Sequence, residues 1–205
     1  YKYDALIKIG EIGATEVPGH AHADSFNTLV YDNKGPVFID PGVSTYNNNL
    51  TRQNERSSSY HNNVTYHFKN SSEIWSSFRV GKQCSVDIIS DDINFVHAVH
   101  NGYSLYGHKL SRKWYFNKNQ LVIEDEVNSK KNIPFYQHWI LAPDRAFKLS
   151  NNKLFINNIL ISFDSKKIEV IFDEINIPVD YNRYEKTTRF SIKFYGSLMT
   201  KINFL

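Results

Sequence analysis

The sequence holds one cysteine, Cys84, and one methionine among its 205 residues. A lone thiol forms no internal disulfide, builds no thiolate metal site and leaves the redox compartment open. Long apolar runs are missing too, since every hydrophobic stretch is short and interrupted; this argues against membrane insertion through a spanning helix. A basic stripe is also absent. The formal net charge is +3, the only lysine doublets are Lys130-Lys131 and Lys166-Lys167, and no nucleic-acid motif occurs, so nucleic acid is not an expected partner. The small positive excess is ordinary solvated surface, or at most a weak field for an anionic polymer. No segment sustains apolar residues at helical spacing for three turns. The chain opens on Tyr1-Lys2-Tyr3, with neither initiator methionine nor signal peptide, and the expectation is a fragment whose secretory or catalytic segments lie upstream.

What is present favours strands. Hydrophobic residues make up 41% of the chain and aromatics 15%, with 14 Phe, 13 Tyr and 3 Trp, a composition that excludes disorder and suits β-sheet. Asparagine pairs and triplets, such as Asn47-Asn48-Asn49 and Asn151-Asn152, mark turns. Short apolar or alternating runs predict strands over 5–12, 26–31, 37–39, 63–68, 86–89, 95–100, 109–116, 120–127, 134–141, 146–149, 154–156, 159–162, 166–172, 187–194 and 198–203. Short hairpin connections fall at Asn117-Lys118-Asn119 and Asn157-Asn158. The stretch 41–60 breaks this rhythm and is expected to be a loop wrapping a site. With no linker or repeat, residues 1–205 form one all-β domain, a large antiparallel β-sandwich.

Chemistry concentrates in Pro18-Gly19-His20-Ala21-His22-Ala23-Asp24, with later echoes at Asp40-Pro41-Gly42 and His61-Asn62-Asn63. On an extended segment residues i and i+2 share a face, so His20 and His22 are expected to enter one cavity. His22, Asp40 and His61 make a three-ligand set of imidazole nitrogen and carboxylate oxygen that suits zinc. Asp24 either orients one of those imidazoles or caps a turn. Gly19 permits close backbone approach or a positive φ beside His20. Arg52 and Arg56, on the long loop, are candidates for gripping a carboxylate. His138, in an aromatic strand, is a candidate cleft residue; His67, His97, His100 and His108 are expected to be half-exposed sheet residues.

Pro18-Gly-His-Ala-His-Ala-Asp-Ser-Phe, then Phe38-Ile-Asp-Pro-Gly, then Arg56-Ser-Ser-Ser-Tyr-His-Asn-Asn-Val resemble, in order and spacing, the heparinase II/III family of polysaccharide lyases. Weaker echoes follow in Tyr136-Gln-His-Trp-Ile-Leu-Ala-Pro and in 191–202. The resemblance covers only that family's C-terminal β-sandwich, a supersandwich, and implies a parent protein whose N-terminal α/α toroid is absent from this chain. It implies β-eliminative cleavage of an acidic, uronic-acid polysaccharide (a glycosaminoglycan, alginate or capsule polymer) in the bacterial periplasm or outside the cell. It makes His22, Asp40 and His61 ligands of a cleft-organising zinc, His20 the catalytic histidine of the sandwich side, and Arg56 the loop arginine ahead of the His-Asn motif. The family's usual His-Asn-Thr is His61-Asn62-Asn63 here. The remaining catalytic groups would come from the toroid, so the isolated domain is expected to be inactive. Without clustered arginine and lysine, a less sulfated polymer is favoured. Two other readings stand beside it: a non-catalytic carbohydrate-binding or surface-polysaccharide-assembly protein that kept the sandwich and its metal, and a stand-alone β-sandwich enzyme with zinc-activated water.

Overall fold

Adjacent asparagines turn the chain where strands meet. Asn151 and Asn152 hold φ of 50° and 57° between the paired residues Ser150 and Lys153, and Asn157, at 49°, opens the turn between Ile156 and Ile159. Short polar side chains tolerate this left-handed region better than others do, and two such residues give the tight hairpin its twist. Lys118-Asn119 turns the chain in two residues between Asn117 and Gln120. The computed structural model describes every residue except Thr15, Lys130, Lys131, Tyr181 and Asn182, so the first lysine doublet lies outside the described residues.

The described strands are β1 (Tyr3–Ile7), β2 (Thr28–Asp32), β3 (Gly35–Phe38), β4 (Val64–Tyr66), β5 (Ile74–Trp75), β6 (Arg79–Val80), β7 (Val86–Asp92), β8 (Phe95–His100) and β9 (Lys109–Asn117). They continue as β10 (Gln120–Asn128), β11 (Phe135–Ile140), β12 (Phe147–Ser150), β13 (Lys153–Ile156), β14 (Ile159–Asp164), β15 (Glu169–Asp180), β16 (Arg183–Phe194) and β17 (Ser197–Phe204). One short helix, α1 (Leu50–Arg56), interrupts them. An eight-stranded sheet runs β12-β13-β14-β17-β10-β9-β8-β7, and a four-stranded sheet runs β15-β16-β11-β4. A three-stranded sheet, β1-β2-β3, joins the region after β11 through a bridge between Phe38 and Leu141, and β5-β6 is a small hairpin. Every named pairing is antiparallel. Among the described residues no helix is long and apolar enough to cross a membrane.

Alternation buries one face of each sheet. Leu110, Trp114, Leu121, Ile123 and Ile202 of the large sheet share one core with Val64, Phe135, Trp139, Phe190 and Ile192 of the four-stranded sheet and with Val30 and Val37 of the small one. This is the sandwich the alternating pattern predicts. The departures have local causes. The first strand ends at Ile7 rather than 12, and β2 begins at Thr28 because Phe26 sits at φ 68°, fully buried, and breaks the extended run. Stretch 41–60 is not all loop: Asn49 caps α1 by accepting from the Arg52 backbone N–H at 2.9 Å. The strands expected over 166–172 and 187–194 belong to a longer ribbon, in which Ile175 and Ile177 alternate inward under a charged surface and pack against Ile140, Ile39 and Tyr60. Pro178 is tolerated there because β15 is an edge strand.

A polar knot lies inside this core. Arg112 donates to both oxygens of Asp125, at 2.6 and 2.9 Å, and neither side chain is exposed. Gln137, from the opposite sheet, donates to Asp125 at 2.7 Å and accepts from Trp139 and Thr200. Arg112 Nη1 reaches out of the knot to the carbonyls of Phe26 (2.9 Å) and Asn62 (3.2 Å). Removing one partner strands the other charge in a dry interior. Asp125→Ala is therefore expected to lower unfolding free energy by about 3–5 kcal/mol; a denaturant midpoint within experimental error of the parent would contradict this.

Candidate functional site

The three motifs converge through two asparagines. Asn62 Nδ2 donates to the carbonyls of Thr28 (2.9 Å) and Ile39 (3.0 Å), its Oδ1 accepts from the Ile140 N–H (2.7 Å), and its own N–H donates to Asn27 Oδ1 (2.9 Å). Asn27 Nδ2 in turn donates to Asp40 Oδ2 at 2.6 Å, and His61 Nδ1 lies 2.9 Å from that same oxygen. The Gly42 N–H donates to Asp40 Oδ1 at 2.8 Å, with φ of +73° that a side chain would strain. His22 stands beside this group, its ring centroid 5.3 Å from that of His61. Asp24 also approaches: its carboxylate, that of Asp40 and a His61 nitrogen lie within 4.8 Å of one another, while Lys8 holds Asp24 at 2.6 Å.

Burial and charge set the protonation states. Burial alone would raise the Asp40 carboxyl, but the charge of His61 and the hydrogen bonds from His61 and Gly42 hold it well below the usual carboxylate range. Burial opposes charge on His61 as well, and the Asp40 charge and hydrogen bond prevail, raising it. His22 is pushed down to about 3, chiefly by burial and then by His61, so it is neutral at physiological pH. His61 Nε2 is buried without a hydrogen-bond partner.

The two loop arginines do different things. All three nitrogen positions of the Arg56 guanidinium donate to backbone carbonyls, of Ala21 (3.0 Å), Ser76 (3.0 Å) and Arg79 (3.3 Å). It is fully buried and staples three segments together, which corrects its expected role in gripping substrate. Arg52 is buried as well; Nε donates to the Ser77 carbonyl at 3.2 Å, and the guanidinium lies 5.2 Å from the Tyr46 ring centroid and 5.9 Å from that of Phe78. Its Nη1 is 3.4 Å from His22 Nε2, a long contact, and its Nη2 has no partner.

His20 and His22 stand at different depths. Residues 18–21 form a turn closed by Ala21 N–H to the Pro18 carbonyl, so His20 faces outward while His22 turns in. His20 meets the edges of Tyr46 (5.4 Å) and Phe78 (5.5 Å), whose rings stack on each other. Gly19 serves close approach: a Cβ there would lie 3.4 Å from the Phe78 carbonyl, and its φ is not positive. Arg52, beneath Tyr46 and Phe78 and beside His22, links the outer histidine to the inner group. Tyr46, Phe78 and Asn27 escaped the sequence reading. Asn27 fell inside the strand expected over 26–31, and nothing in the local pattern singles out Tyr46 or Phe78.

His138 is corrected outright. It is fully buried, with Nε2 at 2.8 Å from Thr65 Oγ1 and Nδ1 at 2.9 Å from Ser191 Oγ, and so ties β4, β11 and β16 together rather than lining a cleft. His100 and His108 are also interior rather than half-exposed, and His67 sits in a turn at φ 47°.

The fold and this cluster define an antiparallel β-sandwich with a histidine–carboxylate site held by buried asparagines. The model of the heparinase II/III-like, C-terminal family matches residues 2–203, and the chain belongs to that family. Among solved structures, it is similar to the heparan sulfate lyase HepC of Pedobacter heparinus in a mutant form (TM-score 0.75, 14% identity, covering 97% of this chain and 32% of that one). It is similar too to a heparinase III with methylated lysines (TM-score 0.75, 17% identity, 99% of this chain and 35% of that one). Another heparinase III structure gives a TM-score of 0.71 at 19% identity over 90% of this chain and 30% of that one. The chain thus spans about a third of the length of these structures. No curated protein matches it.

The buried histidines make stability pH-dependent. Burial pushes His100 down to about 3 and His138 well below its ordinary value, so each stays neutral when folded and protonates when unfolded. The unfolded chain then binds the extra protons, and stability falls as pH drops from the unfolded value of 6.5 toward the folded ones. The expected slope is about 1.4 kcal/mol per pH unit for each such histidine. Urea titrations between neutrality and mild acid test this; a flat profile would refute the neutral, buried assignment.

Proposed function

We propose that this chain is the sandwich part of a polysaccharide lyase that cleaves a uronic-acid polymer by β-elimination. The observation that carries the reading is the arrangement at one mouth: an exposed imidazole, His20, against a phenol, Tyr46, over a guanidinium, Arg52, that reaches back to His22. In this reaction a base removes the proton at C5 and that electron pair becomes the C4–C5 double bond. The C4–O bond breaks, and an acid delivers a proton to the leaving oxygen. His20 supplies one of those proton transfers, and Tyr46 is the phenol this chain places beside it. The acidity at C5 depends on offsetting the uronate carboxylate, and Arg52, buried beneath Tyr46 and Phe78, brings positive charge under that mouth.

The donor set fits zinc. His22 is neutral with a lone pair to offer, Asp40 is ionised, and His61 has a buried nitrogen without a partner. His22, Asp40 and His61 would hold the ion; Asp24, whose carboxylate already lies within 4.8 Å of the Asp40 and His61 donors, is near enough to orient or join them, and His22 would turn its ring toward that group. Bound there, zinc supplies a fixed positive charge that organises the cleft. Family membership supports the lyase reading; an N-terminal α/α toroid that contributes the remaining catalytic groups, and a periplasmic or secreted location, are part of the same proposal. With Arg56 committed to carbonyls and no cluster of free cations in the motif region, the substrate is a less sulfated uronate polymer.

Two experiments test this. Purified chain is expected to carry near-stoichiometric zinc that a His22→Ala, His61→Ala double variant lacks; a folded, metal-free parent protein, not stripped in purification, would remove the three-ligand assignment. The parent protein is expected to release unsaturated uronate, read by ultraviolet absorbance, and His20→Ala to slow it roughly 10²–10⁴-fold. The 205-residue chain alone is expected to release none. Hydrolysis without an unsaturated product would overturn the lyase assignment.

A further inference from the structure

Helix α1 sends Arg52 and Arg56 inward and leaves Gln53 and Asn54 exposed, and Asn54 lines two separate hollows. The first, of about 260 Å³, has Trp75 and Phe68 on its walls, with Gln53, Ser59 and Asn70 among its polar groups. The second, of about 280 Å³, is formed by Tyr60 and Tyr184 with Thr51, Glu55 and Asn176. None of His20, His22, Asp40 or His61 lines either one. We propose that the two hollows form one groove that binds a neutral oligosaccharide, with Asn54 at the junction between successive sugar units.

Three features carry this. Trp75 is 51% exposed and Phe68 45%, so two large apolar faces stand in water around an otherwise polar hollow, the arrangement that receives the C–H face of a pyranose while amides take its hydroxyls. Both rings are also held out at a backbone cost. Phe68 sits at φ 59° and Ser76, next to Trp75, at 53°, a region that non-glycine residues seldom occupy unless the surroundings impose it. The Phe68 ring is braced from behind by Tyr136 at 4.6 Å.

The third feature is the choice of polar groups. Arg56 is the one cation on the walls, and its donors already serve three carbonyls, so the groove offers no free positive charge to a carboxylate or sulfate. Glu55, almost fully buried, accepts from the Ser44 N–H and hydroxyl through Oε1 and leaves Oε2 without a partner. The Ser44 hydroxyl donates to Glu55, so the Tyr184 hydroxyl, 2.7 Å away, donates to Ser44 and keeps its own lone pairs for a ligand. The hollow thus offers amide and hydroxyl donors and acceptors together with one carboxylate and no free cation. Sugar hydroxyls satisfy them, and an anion meets the Glu55 carboxylate. The proposal does not depend on the lyase reading, because no catalytic readout enters its test.

Trp114 and Trp139 are buried, so Trp75 is the exposed one of the three tryptophans and its emission reports directly on the groove. Chain titrated with cellotetraose or tetra-N-acetylchitotetraose is expected to show a saturable blue shift with at least one of them, and none with tetragalacturonate of the same length. Calorimetry with the responding sugar is expected to show affinity weakened roughly tenfold in Asn54→Ala, and lost in Trp75→Ala, with unchanged circular dichroism in both. The absence of saturable binding to either neutral probe would overturn the proposal. So would an equal or larger shift of Trp75 emission with tetragalacturonate, or neutral-sugar affinity unaffected by both substitutions.

Discussion

Arg112 and Asp125 face each other at the centre of the sandwich, and their full burial makes every remaining donor and acceptor on them a structural instruction. Asp125 takes Gln137 from the opposite sheet, which sets how the two sheets meet. Arg112 points its remaining donor at the carbonyls of Phe26 and Asn62, the two segments that approach the candidate site. That second link explains an otherwise costly choice. Phe26 is an aromatic residue held at φ 68°, and its carbonyl receives both Arg112 and the Thr28 hydroxyl while its ring is wedged against His100 and Trp114. A hydrophobic replacement for the ion pair would pack as well, yet it would leave the Phe26 turn and the Asn62 carbonyl without their anchor.

From that anchor, positional order passes outward through amides. Asn62 ties β2, the end of β3 and β11 by four hydrogen bonds, and Asn27, clasped by Asn62, places the Asp40 carboxylate. Neutral amides suit this work because they fix geometry without adding charge beside the histidines. The result is a site of alternating character. His22 is held neutral by burial, Asp40 is held ionised, His61 is held between them, and Arg52 stands at the boundary with the aromatic mouth.

The strand rhythm was legible because alternation and asparagine turns are local signals, and nearly every predicted strand has a counterpart. Two failures share one cause. No strand was expected over 173–186 and no helix within 41–60; in each the apolar or buried side is narrow, and tertiary contacts supply what propensity does not. The motif residues His20, His22, Asp40 and His61 stood out by residue type, but the separation of His20 from His22 did not, because it depends on a turn closed at Ala21. Arg56 and His138 are chemically versatile side chains whose burial no local pattern revealed. Asn62 stood out as part of the His61-Asn62-Asn63 motif, but its role in tying the segments together did not, and Asn27 was read only as part of a strand.

The order of strands in the large sheet bears on how this chain reaches its native state. β17, the final strand in sequence, lies in the interior of that sheet between β14 and β10, and the β15–β16 ribbon just before it braces the N-terminal third through Tyr184 to Ser44 and Arg189 to the Ser59 carbonyl. Neither half of the large sheet can close early. Until β17 is in place, β10 and β14 each expose an unpaired edge, and until the β15–β16 ribbon is in place the segment carrying His22, Asp40 and His61 lacks its brace. Contacts this distant in sequence make for slow, late folding and a long interval of exposed strand edges. Completion of the site thus waits on the segment that carries β15, β16 and β17 rather than on the motif that carries the chemistry.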